Sequence, residues 1–380
     1  MQKMFELIDQ NKLYEDYEYL MKNAETGFEL KKTVNYVAKS LMEAGIEYTM
    51  CGRCGICAVL GSSTHTKTLL LRADMDALPM GEGAMHACGH HMHTAMLLAA
   101  ARAIKQNEDM LSCRVKLMFQ PAEEILSGAK DMIDSGILQN PKVDCAFMLH
   151  VATATNFDTG TFIFASDGEV APSADYFNIE VRGKGSHGAQ PSEGRDPITS
   201  GAHILCALQS INARELGVYE DATITVGMMS GGSAPNAIAD SLTMKGTMRT
   251  FGEQTREFVK SRIGDIASGV AKALRTSAKV VFNHGCPAFI NDKDFLGRVS
   301  SLAKEFSGVE RVVMLPKGQR GGGSEDFAYV STLVPTAMAL LCAGRAEDGY
   351  EYPLHNPKVK FDKKALPYGS ALMTYIAFNL

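Results

Sequence analysis

The hydrophobic residues in the first third of the chain alternate between helical and strand-like spacing. Residues 29–44 place apolar side chains on one helical face, and residues 93–105 form a strongly helix-favouring run. Short apolar runs of strand length, flanked by turn residues, occur at 56–60, 68–74, 114–120 and 145–151. Strands that alternate with helices predict an α/β sheet covered on both faces.

The pattern changes after about residue 172. Segments with the spacing of half-buried strands occur at 175–185, 221–229 and 240–251, and helical patterns lie between them near 197–214 and 253–274. This order predicts an α+β layer, a four-stranded sheet with two helices. The α/β pattern returns near residue 288, with helices at 292–306 and near 364–379. We therefore predict a two-domain α/β protein in which a sheet domain, residues 1–172 and 288–380, is interrupted by a smaller α+β domain, residues 173–287.

The composition of the 380 residues, 46% hydrophobic and 21% charged, is typical of globular proteins. A net charge of −5 without a long basic run argues against a nucleic-acid partner. No apolar stretch approaches the ~18 residues that a membrane span needs, and the polar N-terminus has no signal-peptide core. Nine cysteines, an odd number scattered through a long chain, favour a reducing compartment, so we expect a cytoplasmic protein.

The densest group of candidate metal ligands is MHACGHHMH, residues 85–93, which holds four histidines and a cysteine. Thiolate and imidazole are good ligands for zinc and similar ions. Cys88 and His90 lie close together in the sequence. We expect both on a loop just before a helix that starts near His93.

Acidic residues and a further histidine follow three of the predicted strands. Asp74 and Asp76 end the first strand, Glu123 and Glu124 follow the second, and His150 ends the third. Ligands in open α/β sheets gather at the carboxyl ends of the strands, so we expect these residues to meet the cysteine–histidine group there. A metallohydrolase needs two carboxylates with different tasks, one bound to metal and one that handles protons.

Motifs along nearly the whole chain resemble one family when they are taken in order: LRADMDALP, MHACGHHMHTA, FQPAEE, LHV, GKGSHGAQPSEGRDPI, GTMRTF, GGGSEDFA and LHNP. This set resembles the metal-dependent aminoacylase and carboxypeptidase family. The most similar branch is that of hippurate hydrolases, N-acyl-amino-acid amidohydrolases and auxin–amino-acid conjugate hydrolases. The resemblance implies a catalytic domain with two divalent metal ions (zinc, manganese, cobalt or nickel), interrupted by a smaller lid domain that also forms a homodimer.

The resemblance also implies a role for each matching residue. The metal ligands would be Cys88, His90, Glu124, His150 and His355. Glu123 would be general base and then general acid for a metal-activated water, and Asp76 would orient a group of the site from behind the ligands. His187 would reach a neighbouring subunit's site and help to hold the reacting carbonyl, and Asn236 and Arg249 would lie near the substrate's carboxylate. The implied reaction cleaves an N-acyl amino acid into a carboxylate and a free amino acid.

Two features depart from the family pattern. His91 stands where the family usually has aspartate, so metal affinity or metal choice can differ, and a role for His91 as an extra ligand stays open. A longer loop of the family is reduced here to residues 80–84, which predicts a more open rim of the site.

Other interpretations of the sequence stay open. Within the family, the alternative functions are those of a dipeptidase or an N-acetyl-diaminopimelate deacetylase. Outside the family, the alternative is a catalytically silent metal-binding protein.

The CGRCGIC segment, residues 51–57, has iron–sulfur-like spacing, but no fourth cysteine follows nearby. A structural turn is therefore the simpler interpretation, and redox chemistry is the alternative. Asp74 is either a support behind the ligands or a weak ligand. We expect His86 and His93 to support the ligands rather than to bind metal.

The glycine-rich segment 318–324 lacks the ending of a phosphate-binding loop. We predict a turn capped by Ser324 instead, with Glu325 and Asp326 in the first turn of a helix. The resemblance places this segment near the site.

Overall fold

The computed structural model describes residues 1–380 and divides the chain into two compact units. The large unit consists of Met1–Val170, Ile290–Arg320 and Asp326–Leu380. The small unit consists of Ala171–Phe289 and Gly321–Glu325. Each unit has a hydrophobic core of its own.

Helices occur in both units, and α6 and α7 belong to the small one. In chain order the helices are α1 (Gln2–Glu6), α2 (Gln10–Lys22), α3 (Lys31–Glu43), α4 (His90–Gln106), α5 (Gly128–Asp134), α6 (Pro197–Ser210), α7 (Glu253–Ala273), α8 (Lys293–Ser307), α9 (Ala328–Ser331) and α10 (Leu366–Asn379). None of them combines the length and the apolar character that crossing a membrane requires.

The strands form one eight-stranded sheet, one four-stranded sheet and three two-stranded sheets. In chain order they are β1 (Tyr48–Cys51), β2 (Gly55–Leu60), β3 (Thr68–Asp74), β4 (Leu78–Met80), β5 (Gly83–Met85), β6 (Arg114–Gln120), β7 (Cys145–Ala152), β8 (Phe162–Phe164), β9 (Gly168–Ala171), β10 (Ala174–Arg182), β11 (Ser186–His187), β12 (Ala222–Gly231), β13 (Ala237–Ile238), β14 (Ser241–Thr250), β15 (Ser277–Cys286), β16 (Phe289–Asn291), β17 (Val312–Met314) and β18 (Thr336–Cys342).

The large sheet is mixed, with the strand order β1-β2-β6-β3-β7-β18-β8-β17. Its centre is parallel, because β6, β3, β7 and β18 run in the same direction, whereas β2 and β8 are antiparallel to their central neighbours. Every residue of β3 is buried, so both faces of the sheet are covered there. The parallel centre brings the carboxyl ends of β3, β6 and β7 to one edge of the sheet.

The strand predictions for the large sheet are confirmed, since the apolar runs correspond to β2, β3, β6 and β7. The predicted start of the next helix near His93 is wrong. Helix α4 begins at His90, so this residue lies in the first helical turn and not on the preceding loop. Gly89 precedes the helix with φ 89° and no side-chain cap is present, which explains why the start carries no sequence signal.

The four-stranded sheet of the small unit has the order β12-β14-β10-β15, and all its neighbouring strands are antiparallel. Alternate residues of β10 and β14, such as Ile179 and Met244, are buried in the core of the small unit together with Ile204 of α6 and Ile263 of α7. This sheet has four strands and packs against α6 and α7, and β15 is the strand that was not located from the sequence.

The predicted helix cap at Ser324 is wrong. The helix begins only at Ala328, and the Ser324 hydroxyl donates to the carbonyl oxygen of Ser173 at 3.4 Å. Glu325 and Asp326 therefore precede the helix. The Asp326 side chain is fully buried.

A buried lysine fastens the loop before β7 to the large sheet. The Lys116 ammonium on β6 donates to the carbonyl oxygens of Ile137 at 2.9 Å, Gln139 at 2.6 Å and Pro141 at 2.7 Å. Burial lowers the pKa of Lys116. Charge-assisted hydrogen bonds of this kind are strong, and removing one partner leaves buried acceptors without a donor.

We expect Lys116→Met to lower the free energy of unfolding by about 2–4 kcal/mol, because three carbonyl oxygens lose their donor. The measurement is urea unfolding of the metal-free protein, followed by circular dichroism. Lys105→Met is the matched control, because Lys105 makes only a half-exposed pair with Glu108, worth less than about 1 kcal/mol. Equal urea midpoints for the two variants would contradict the prediction.

Candidate metal centre

The candidate ligands come from separate segments of the large unit that meet at the carboxyl edge of its sheet. Cys88 lies two residues before His90, which is the first residue of α4. Glu124 lies in the loop between β6 and α5, and His150 lies near the end of β7. His355 follows β18, and its backbone N–H donates to the carbonyl oxygen of Ala87, which ties this distant loop to the start of α4.

The potential donor atoms of these five side chains lie within about 4 Å of a neighbour in the group. Cys88 Sγ is 3.1 Å from His355 Nε2 and 3.7 Å from His150 Nε2. His90 Nε2 is 3.8 Å from Glu124 Oε1, and His355 Nε2 is 3.9 Å from Glu124 Oε2. The structure thus brings together all five residues that the family resemblance implies as ligands.

The hydrogen bonds of the histidines indicate which nitrogen faces the centre. Nδ1 of His90 lies 3.0 Å from the carbonyl oxygen of Asp76, and Nδ1 of His150 lies 2.8 Å from that of Val151. A carbonyl oxygen only accepts, so in each ring Nδ1 carries a proton and donates it. When such a ring is neutral, its Nε2 therefore presents a lone pair towards the other donors.

Two buried atoms in the centre have no hydrogen-bond partner, and both point to a cation. They are His90 Nε2 and Glu124 Oε1, which face each other. Asp74 Oδ2 lies 3.4 Å from the same histidine nitrogen. Buried acceptors that face acceptors are unfavourable unless a positive charge lies between them. The mixture of thiol, imidazole and carboxylate suits divalent transition-metal ions.

Protons compete with a cation for these atoms. Burial raises the pKa of Glu124 to about 7. Burial also raises the pKa of the Cys88 thiol far above its ordinary value. Burial alone would lower the pKa of His90, but the neighbouring Asp74 and Cys88 raise it well above its ordinary value. A metal ion that binds here must therefore displace protons.

His93 lies close to the centre but has no nitrogen left for metal. Its Nδ1 donates to Asp74 Oδ1 at 2.5 Å, and its Nε2 accepts the backbone N–H of Val151 at 2.8 Å. Burial lowers the pKa of His93 to about 3, which agrees with a neutral ring. Asp74 is also occupied, because its Oδ2 accepts from Arg72 at 2.7 Å. These contacts favour supporting roles for both residues.

Asp76 holds the two glutamates through their backbone. Its carboxylate oxygens accept the N–H groups of Glu123 at 3.0 Å and Glu124 at 3.1 Å. The side chain of Glu123 is buried, and its Oε2 is 3.9 Å from His90 Nε2. Glu123 therefore lies beside the donor atoms without being one of the five.

The side chain of His91 packs against other rings and does not lie among the candidate metal-donor atoms. Its ring centroid is 4.9 Å from that of His86, 5.0 Å from that of Tyr17 and 5.7 Å from that of Phe361. Both ring nitrogens of His86 and of His91 are buried without a hydrogen bond. Burial lowers the pKa of His91 well below its ordinary value and that of His86 to about 3, so both rings are neutral.

The two remaining sequence features of the large unit are hairpins. Residues 52–54 join β1 to β2, and the thiols of Cys51 and Cys54 donate to backbone carbonyl oxygens at 3.5 Å and 3.4 Å. Burial raises the pKa of both thiols to about 11, which favours the structural interpretation over redox chemistry. The shortened loop, residues 80–84, contains the tight turn between β4 and β5.

The three other candidate site residues belong to the small unit and lie in two different parts of it. His187 on β11 pairs with Ala237 on β13, next to Asn236, and both His187 and Asn236 are exposed. The second strand of this two-stranded ribbon, β13, ends shortly before Ser241, the first residue of β14. Arg249 lies near the other end of β14, roughly 25 Å away at ~3.4 Å per residue.

The charged residues behind the centre were not predicted from the sequence. Arg72 is fully buried in β3 and donates to Gln120 Oε1 at 2.9 Å as well as to Asp74. Its signal in the sequence is an arginine inside an otherwise apolar strand, since a charge in such a position must be paired. Its partners cannot be identified from the sequence because they lie on other segments.

Comparisons with known proteins agree with this geometry. The model of Peptidase family M20/M25/M40 matches residues 70–379. The N-acetyl-L-cysteine deacetylase of Bacillus subtilis (strain 168) is 33% identical over 347 residues, 88% of this chain and 80% of that protein. The hippurate hydrolase of Campylobacter jejuni is 32% identical over 369 residues, 94% of this chain and 93% of that protein.

A solved structure from Bacillus subtilis, described as a dinuclear metal binding peptidase from the M20 family, has a similar fold. Its TM-score is 0.78 at 25% identity, over 100% of this chain and 99% of that chain. The match to the family model and these relatives confirm the resemblance that the motifs indicated. The chain belongs to peptidase family M20/M25/M40 and is a metal-dependent amidohydrolase.

Proposed function

We propose that the protein hydrolyses the amide bond of N-acyl amino acids and releases a carboxylate and a free amino acid. The observation that carries this proposal is the convergence of five potential metal donors beside the buried carboxylate of Glu123. Relatives named for N-acetyl-L-cysteine and for hippurate, both N-acyl amino acids, support the substrate class.

We propose Cys88, His90, Glu124, His150 and His355 as ligands of two divalent ions: zinc, manganese, cobalt or nickel. The unpartnered lone pairs of His90 Nε2 and Glu124 Oε1 support this assignment. When bound, two such ions would supply Lewis acidity, which would polarise the amide carbonyl and make a water molecule more acidic.

Glu123 is the proposed base. Its carboxylate removes a proton from the attacking water and then delivers it to the leaving amine. Asp76 orients Glu123, because it holds the backbone N–H groups of Glu123 and Glu124. His187 is proposed to donate to the oxygen of the reacting carbonyl as negative charge develops there. Asn236 and Arg249 are proposed to bind the substrate's carboxylate.

We expect Glu123→Gln to lower kcat by about 10²–10⁴-fold, because an amide cannot accept the water's proton. The measurement is hydrolysis of acetyl, benzoyl and longer aliphatic N-acyl amino acids with each of the four metals. The number of metal ions bound per subunit is measured in parallel. It should equal the wild-type number, since Glu123 is not a proposed ligand. Glu193→Gln, an exposed glutamate of the small unit, is the control and should keep full activity.

Dipeptides and N-acetyl-diaminopimelate, added to this panel, test the alternatives within the family. Preferred cleavage of dipeptides would replace the substrate class, and preferred cleavage of N-acetyl-diaminopimelate would narrow it to one substrate; both would keep the mechanism. Wild type that is no faster than Glu123→Gln on every substrate would identify a catalytically silent metal-binding protein.

We expect metal affinity to rise with pH. The folded-state pKa values of Glu124, about 7, and of Cys88 are raised, so both groups hold protons that a cation must displace. Affinity should therefore fall as pH drops through about 7 and increase above it. Calorimetric titration between about pH 6 and pH 8, in buffers of different ionisation enthalpy, measures both the affinity and the protons released. A pH-independent affinity would contradict the assignment.

We propose a homodimer built through the small unit, with each site shared between two subunits. Within one chain, His187 and Asn236 lie at one end of β14 and Arg249 lies towards the other. If all three residues serve one substrate, two copies of the small unit must contribute. The large unit, which holds the five donors, is then the catalytic domain, and the small unit is the lid and dimerisation domain.

We expect subunits of Glu123→Gln and His187→Ala, each inactive alone, to recover activity when they are co-expressed. A mixed dimer contains one site with both residues intact, so statistical assembly restores about a quarter of the wild-type sites. Separately tagged chains, purified in tandem, measure the mixed dimer directly. If His187 acts within its own subunit, mixing restores nothing.

The proposed compartment is the cytoplasm. All nine cysteines are free, and the proposed ligand Cys88 must stay reduced to bind metal.

A further inference from the structure

The loop that carries both glutamates is strained. This segment, residues 121–127, is here called the base loop, and it connects β6 to α5. Ala122 and Leu126 have φ of 56° and 52°, a region that residues with a side chain rarely adopt. The loop closes on itself, because Ala122 O accepts the N–H groups of Ser127 and Gly128, both at 3.2 Å.

Glycine is required where the base loop closes. A Cβ atom at Gly128 would lie 1.5 Å from the carbonyl oxygen of Pro121. The two ends of the loop are therefore in close contact, and a strained loop of this kind persists only where its surroundings hold it.

One buried carboxylate holds both ends of the base loop. Oδ1 of Asp326 accepts from the side-chain amide of Gln120, the residue before the loop, at 2.5 Å. Oδ2 accepts the backbone N–H of Ala129, just after the loop, at 2.9 Å. Asp326 is fully buried and lies about two hundred positions further along the chain.

Arg72 connects this clamp to the residues behind the metal ligands. Its guanidinium donates to Gln120 Oε1 and to Asp74 Oδ2, and lies 3.5 Å from Asp326 Oδ1. The positive charge also lowers the cost of burying the two aspartates. The ends of the base loop are thus part of one hydrogen-bonded network with Asp74, while Asp76 holds the middle of the loop.

We propose that Asp326 is a positioning residue, which fixes Glu123 and Glu124 by clamping both ends of the base loop. The inference rests on the proposed function of those two glutamates. It assigns a purpose to the Ser-Glu-Asp-Phe segment, residues 324–327. Asp326 is neither a proposed metal ligand nor the proposed base. A carboxylate oxygen of Asp326 lies within 4.8 Å of one of Glu123, and the hydrogen bonds of Asp326 hold the ends of the loop.

Asp326→Asn tests the clamp with almost no change in volume. An amide keeps one acceptor oxygen but turns an NH2 group towards the other donor, so one end of the loop is released. The matched control is Asp16→Asn, in the same unit and equally buried. Asp16 accepts from Arg102 at 2.6 Å and from Tyr36 at 2.8 Å, far from the loop in sequence.

Hydrogen exchange of the metal-free protein gives a readout that is independent of activity. We expect Asp326→Asn to speed exchange at least about tenfold in the peptide that covers residues 121–129, because the loop ends open more often. Asp16→Asn should leave this peptide unchanged. Equal protection of the peptide in wild type and Asp326→Asn would overturn the proposal.

Kinetics test the consequence for the reaction. We expect Asp326→Asn to lower kcat by about 10–100-fold with KM nearly unchanged, because a displaced base slows proton transfer more than it weakens substrate binding. Metal affinity should also weaken, since Glu124 lies in the same loop. Asp16→Asn should keep the wild-type kcat even if it unfolds at lower urea concentration.

The two hypotheses fail in distinguishable ways. If wild type is active and Glu123→Gln is not, but Asp326→Asn keeps the wild-type kcat, the clamp is wrong and the proposed function stands. If wild type is inactive on every substrate, the function is wrong, and hydrogen exchange still decides whether the clamp exists. Should Asp326→Asn not fold, Gln120→Met removes one arm of the clamp and should show the same changes at smaller size.

Discussion

The carboxylate and the backbone carbonyl of Asp76 are the contacts on which the candidate metal centre depends. The carboxylate holds the N–H groups of Glu123 and Glu124, and the carbonyl accepts from Nδ1 of His90. One residue just beyond β3 thereby fixes the direction of two acidic side chains and of an imidazole lone pair. Because these partners come from separate segments, the centre exists only when β3, the base loop and the start of α4 are folded together.

Much of this arrangement could be predicted from the sequence, because strand ends are visible as boundaries of apolar runs. The positions of Asp74, Glu124 and His150 followed from the rule that parallel strands end at one edge of a sheet. His355 was different, since a lone loop histidine carries no local signal and only the resemblance assigned it a role. The start of α4 was misplaced because Gly89 turns the chain without a capping side chain.

The hydrogen-bond network behind the metal centre could not be predicted from sequence patterns. Hydrogen bonds from Gln120 and Ala129 to the Asp326 carboxylate join residues that are remote in the chain, and no periodicity links them. The same holds for His93, whose two nitrogens are occupied by Asp74 and Val151. His90, His93 and the pair His86–His91 are neighbours in sequence but occupy three distinct environments, so their close spacing does not make them one functional group.

Gly128 has a consequence for how sequences with this fold can diverge. Since even a methyl group would collide with the backbone of Pro121, no substitution is tolerated there without remodelling the chain around both glutamates. Ile125, at the tip of the same loop, is 44% exposed and meets no such restriction. Evolutionary drift can therefore alter the outer surface of the loop while the closing glycine stays fixed, so neighbouring positions would change at very different rates.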